Sequence, residues 1–112
     1  AKGLDGAYSE SYDEILCNAL FYDPVTYAKM LAYPGVMNDE TRWSAITGAV
    51  FDGELFPEKE RTAAKSLDAA ISANTLTAEE TGWAKLLRYY LVTPSEDGSF
   101  ADYPKTPAEL EN

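Results

Sequence analysis

The stretch TAEETGWAKLLRYYLVT, residues 77–93, decides the fold class. Thr77-Ala78-Glu79-Glu80 is a capping box, in which the threonine hydroxyl and the Glu80 carboxylate satisfy backbone donors that a first helical turn leaves free. Behind it, Trp83, Leu86, Leu87, Tyr90 and Leu91 recur at helical spacing and form one apolar stripe. Thr93-Pro94 stops the helix, because proline donates no amide and disfavours helical backbone at the residue before it.

The same grammar repeats towards the N-terminus. From Ser9 the pattern predicts a helix with Tyr12, Ile15, Leu16, Ala19 and Leu20 on its inner face. Asp23-Pro24 reads as an N-cap followed by proline at the first helical position, so a short second helix runs to Tyr33-Pro34-Gly35 and offers Tyr27, Met30 and Leu31 to the core. Asn38 caps a third helix with the stripe Trp43, Ile46, Thr47, Val50 and Phe51, which Asp52-Gly53 ends. Pro57 opens a fourth, whose inner face of Ala64, Leu67, Ala70 and Ile71 is made mainly of small side chains. No segment sustains the alternation of a strand. The expectation is an all-α fold: an up-down-up-down four-helix bundle over residues 9–93, with the short helix as a connector. Residues 1–8 read as a loose arm, and residues 94–112, with three prolines, five acids and one lysine, as an extended, flexible acidic tail.

The 112 residues are one domain's worth, and 46% of them are apolar, enough for one core. Nineteen acidic against nine basic side chains give a formal charge of −10, which excludes a nucleic-acid binder and disfavours an anionic membrane surface, since both need cations. No run approaches the roughly 18 apolar residues of a membrane span. Without histidine the commonest general base and zinc ligand is missing, and the single cysteine, Cys17, has neither a disulfide partner nor a base to activate it. An Ala-first start fits cleavage of an export signal as well as removal of an initiator Met.

Paired carboxylates at Asp13/Glu14, Asp39/Glu40 and Glu79/Glu80 stand in first turns, where they compensate the helix dipole rather than build an acid–base site. Glu96-Asp97-Gly98 lacks the alternating ligands of a calcium loop. With no convergent base, nucleophile and oxyanion set, no catalytic, cofactor or metal residue is assigned and the chain is read as a non-enzyme. The candidates are surfaces. Lys59, Arg61 and Lys65 make a basic cluster on the fourth helix, and Lys85 and Arg88 a smaller pair on the fifth. On an acidic chain such patches are where an acidic partner docks. Tyr22, Tyr33, Tyr89 and Tyr103 lie off the stripes or near the terminus and are the candidate interface aromatics.

A His-free, acidic, Ala-first chain of this size, with four main helices and a Pro-rich tail after Thr93, resembles the small extrinsic proteins on the lumenal side of photosystem II, in particular the diatom-type subunit that is a PsbQ-like bundle. The resemblance covers residues 9–112 and rests on layout, with no catalytic motif. It implies a non-catalytic subunit of the thylakoid lumen, peripheral to the membrane. Such a subunit binds the photosystem II core and other extrinsic subunits, shields the manganese–calcium cluster and retains calcium and chloride. Free in solution the bundle is expected to be monomeric. The alternative reading is an acidic nucleic-acid mimic, such as a phage antagonist of a nuclease, which would present carboxylates in phosphate-like rows.

Overall fold

The computed structural model describes residues 13–35, 37–53, 55–95 and 99–111. Among them every regular element is helical: α1, of which residues 13–22 are described, α2 (Pro24–Ala32), α3 (Asp39–Gly53), α4 (Pro57–Ser72), α5 (Ala78–Val92) and α6 (Pro107–Glu111). The helix starts lie where the capping residues put them. Asp23 accepts from the Thr26 amide at 3.1 Å and from the Thr26 hydroxyl at 2.7 Å, and these donors hold its carboxyl below the ordinary value. Asn38 accepts from the Thr41 amide at 2.8 Å. Both halves of the Thr77–Glu80 capping box are formed. The turn after α2 needs Gly35, whose φ of 80° lies in the left-handed region.

The packing centre is α5. It buries Trp83, Ala84, Leu86, Leu87, Tyr90 and Leu91, an arc too wide for one neighbour, and it contacts α2, α3, α4 and α6. α4 and α5 form a hairpin closed by a short turn, in which Asn74 adopts φ 58°, a conformation that asparagine tolerates. The small faces of α4 (Ala63, Ala64) and α2 (Ala28, Ala32) let these helices approach closely. α2 is therefore a core helix and not the connector expected from its length: Tyr27, Ala28, Leu31 and Ala32 are all buried, and the Tyr27 hydroxyl donates to the Ala45 carbonyl of α3 at 2.7 Å. α3 lies so close to α1 that a Cβ on Gly48 would meet the Asp13 carboxylate at 2.6 Å.

Four stripe assignments fail, Ala19 among them, which is exposed on α1. Ile15 is 63% exposed and Phe51 53%, and Met30 is also at the surface. On α1 the buried arc is centred on Cys17 and Leu20, so Ile15 falls on the opposite side. The larger correction concerns the C-terminus. Described residues of the expected extended tail fold back onto α5: Phe100 is 2% exposed, Tyr103 is half-buried, and Pro107 packs on Gly82, where an added Cβ would come within 3.0 Å of it. The reason is aromatic burial, for which no period is needed. The arm at residues 1–8, Tyr12 and the Glu96-Asp97-Gly98 segment lie outside the described residues.

Because the capping box sets the start of the central helix, Thr77→Ala should lower unfolding free energy by about 1 kcal/mol, whereas Thr77→Ser should stay close to the parent chain. Urea denaturation followed by circular dichroism checks both.

Candidate functional site

Arg61, Lys65 and Asp68 follow one another at i, i+4 and i+7 along α4, so they share a face. Across the hairpin, Asp68 is ion-paired with Nε of Arg88 on α5, and Lys85 stands one turn before Arg88. Four of the six sequence candidates, Arg61, Lys65, Lys85 and Arg88, thus gather along the α4–α5 seam. Arg88 is the exception among them in chemistry, since its charge is partly spent on Asp68; Arg61, Lys65 and Lys85 are exposed. Val92, also exposed, extends the same face of α5.

Lys59 does not belong to this row. Two residues before Arg61 on a helix means a rotation of about 200°, and its ammonium lies 5.0 Å from the centre of the Phe56 ring. It lines a groove of about 480 Å³ between α1 and α4, together with Asn18, Phe21, Tyr22, Glu58 and Thr62. The expected basic triplet is therefore split between two faces. Beside the groove, Leu55 and Phe56 are exposed in the α3–α4 connection, a pair that the sequence reading passed over. Its signal was an apolar dipeptide between a Gly stop and a Pro start, where turn residues are usual.

Among the aromatics, Tyr22, at 92% exposure, and Tyr33 are at the surface as expected. Tyr103 and Tyr89 are not. Their rings meet edge to face with centroids 5.5 Å apart, and the Tyr103 hydroxyl donates to the Thr93 carbonyl at 2.6 Å. Tyr103 is thus a fastening of the C-terminal segment. Next to it, the Tyr90 hydroxyl accepts from the Trp43 indole at 3.0 Å and donates to the Pro104 carbonyl at 2.6 Å. Burial, with a smaller contribution from the Glu109 carboxylate, pushes the Tyr90 phenol up to about 12.

A cleft of about 620 Å³ opens where the end of α2 meets the starts of α3, α5 and α6, lined by Asp39, Arg42, Glu79, Trp83, Pro107 and Glu111 among others. Arg42, which sequence reasoning missed, organises it. Its Nε donates to the Leu31 carbonyl at 2.6 Å, one Nη to the Tyr33 carbonyl and the other to Asp39, both at 3.1 Å, and its guanidinium lies 5.4 Å from the Trp83 ring centre. A cation at the C-terminal end of α2 also complements that helix's dipole. The pairs Asp39/Glu40 and Glu79/Glu80 stand in the first turns of α3 and α5, where Glu80 is engaged by the Thr77 amide, whereas the start of α1 before Asp13/Glu14 lies outside the described residues. Cys17 is buried. Among the described residues no group of three or more Cys, Asp or Glu converges as metal ligands, and no helix is long and apolar enough to cross a membrane. Compared with known families, curated proteins and solved structures, the chain gives no match in any of the three.

The raised Tyr90 phenol ties stability to alkaline pH. In the unfolded chain a tyrosine ionises near its ordinary value of about 10. The stabilisation from neutral Tyr90 is complete below that pH and is lost as pH rises towards about 12. Phenolate absorbance should therefore show the Tyr90 component titrating well after the ordinary range. That component, together with the matching loss of urea resistance, should be missing in Tyr90→Phe.

Proposed function

We propose that the protein is a non-catalytic docking subunit that attaches to an acidic face of a larger protein complex along its α4–α5 seam. The observation that carries this reading is the gathering of Arg61, Lys65, Lys85 and Arg88, four of the nine cations of a −10 chain, on one hairpin. On such a background a cationic row orients the encounter and sets register, because like charges repel every other approach to an acidic partner. The resemblance supplies the complex: the lumenal face of photosystem II, with the other extrinsic subunits as neighbours. The protein would support oxygen evolution there by shielding the manganese–calcium cluster and holding calcium and chloride. This reading takes the helices as the up-down-up-down bundle of the PsbQ-like family, places the protein in the thylakoid lumen and leaves it monomeric when free.

The acidic-mimic reading draws on a different observation, the meeting of Asp39, Glu79 and Glu111 around the cleft at the other end of α5. It describes an inhibitor of a nuclease rather than a subunit.

Reconstitution onto salt-washed photosystem II particles tests the first reading. The parent chain should bind and elute with rising salt. The triple reversal Arg61→Glu/Lys65→Glu/Lys85→Glu, with unchanged helix content, should bind about five- to a hundredfold more weakly, given three rim charges of a few tenths to 1 kcal/mol each. Equal binding of the two chains would overturn the seam as the contact. A parent chain that fails to bind would overturn the photosystem reading, and inhibition of a nuclease at low salt would put the mimic in its place.

A further inference from the structure

Described residues 99–111 lie back along α5 in the manner of a bound peptide. Phe100 inserts against the Tyr90 ring at a centroid distance of 5.5 Å, Tyr103 packs edge to face on Tyr89 and Phe100, and the Pro104 carbonyl accepts the Tyr90 hydroxyl. Lys105 holds its ammonium 5.3 Å from the Trp43 ring centre, and Pro107 fits the notch that Gly82 leaves in α5. These attachments run through rings, hydroxyls, an ammonium and a proline, and half-buried Leu110 packs against the core. α6 itself buries no residue. At the main anchor the backbone opposes the side chain: Phe100 has φ 54°, a region that bulky L-residues sparsely populate, so what its ring gains by burial is diminished by strain.

Beneath this segment Leu20, Leu31, Ile46, Leu67, Leu86 and Leu87 are fully buried between the helices, and Phe100 adds its ring to the edge of that core. What the segment covers is of another kind. Trp43, Tyr89 and Tyr90 offer ring faces, a phenol hydroxyl that reaches a carbonyl, and a glycine notch that admits a proline ring. The segment meets this surface as a turn, in which the Tyr103 amide donates to the Phe100 carbonyl at 3.1 Å, followed by the two prolines that lead into α6.

We propose that residues 99–111 are a releasable strap that occupies an aromatic groove on α3 and α5, and that the groove receives in its place a partner's segment of the same chemistry, an aromatic residue three positions before Tyr-Pro across a turn. The strap is the intramolecular ligand that keeps the groove closed until such a segment arrives. The groove is separate from the α4–α5 seam and does not depend on it.

The test uses the full chain and a labelled peptide of the strap's own sequence, SFADYPKTPAELE. In the parent chain the peptide should bind weakly, since only the released fraction is competent, and a scrambled peptide should not bind. Phe100→Ala should raise the apparent affinity at least about a hundredfold while helix content is kept. Tyr103→Phe, which keeps the ring and removes only the bond to the Thr93 carbonyl, should speed hydrogen exchange of residues 99–111 about tenfold and leave α5 unchanged. The proposal is overturned if a folded Phe100→Ala binds no peptide or if the scrambled peptide binds equally. It is also overturned if Tyr103→Phe accelerates α5 and the strap alike, because the strap is then part of one cooperative core.

Discussion

The buried hydroxyl of Tyr90 is the joint on which three parts of the chain converge. It accepts from Trp43 on α3 and donates to the carbonyl of Pro104 in the returning C-terminal segment, while its ring belongs to the packed face of α5. A buried phenol without partners would cost about 1 to 3 kcal/mol, so each of the two neighbours helps to hold the ring in the core. Around it, Tyr89, Phe100 and Tyr103 stack at centroid distances between 5.1 and 6.2 Å. The cluster shifts the acid–base behaviour of the phenol and turns a chain end into part of the packed structure. Along the rest of α5 the packing is aliphatic apart from Trp83, with α2 and α4 brought close by alanines.

The outer surface is organised by the same helix. Its outward face joins that of α4 at the Asp68–Arg88 pair and carries the cationic row; its N-terminal end joins α3 and α6 around the Arg42 cleft and carries acids. Opposite charge is thereby separated along one element. That separation gives a −10 chain a face that an acidic partner can approach, and the long arms of Arg61, Lys65 and Lys85 supply it from two helices. Arg42 shows a different use of a cation: bonded to the carbonyls of Leu31 and Tyr33 and laid over Trp83, it is a bracket between α2, α3 and α5.

Local chemistry was legible in the sequence. Asp23, Asn38 and Thr77, the prolines at 24 and 57 and the stripes of α4 and α5 each act within one or two turns, and the structure has its helices where they indicate. The failures share a cause. Ile15 and Phe51 have helical spacing, but spacing alone does not say which of two overlapping arcs faces the core. α2 looked like a connector because it is short, whereas its alanines, and not its length, determine how closely it packs. Phe100 and Tyr103 are held by residues ten and more positions away through a backbone turn that leaves no period, so the tail read as loose. Within the candidate site the cations were readable and their grouping was not: Lys59 was joined to Arg61 by proximity in sequence, although a two-residue step on a helix points to another face.

The dependence of this fold on the Tyr90 joint is tested most directly by a double-mutant cycle of Trp43→Phe and Tyr90→Phe, read by urea unfolding below pH 9. If the joint ties α3 to α5, the two substitutions should couple by about 1 kcal/mol, the double variant losing less than the sum of the singles. Strict additivity, within about 0.3 kcal/mol, would contradict it and show that the Trp43–Tyr90 bond carries none of the attachment of α3 to α5.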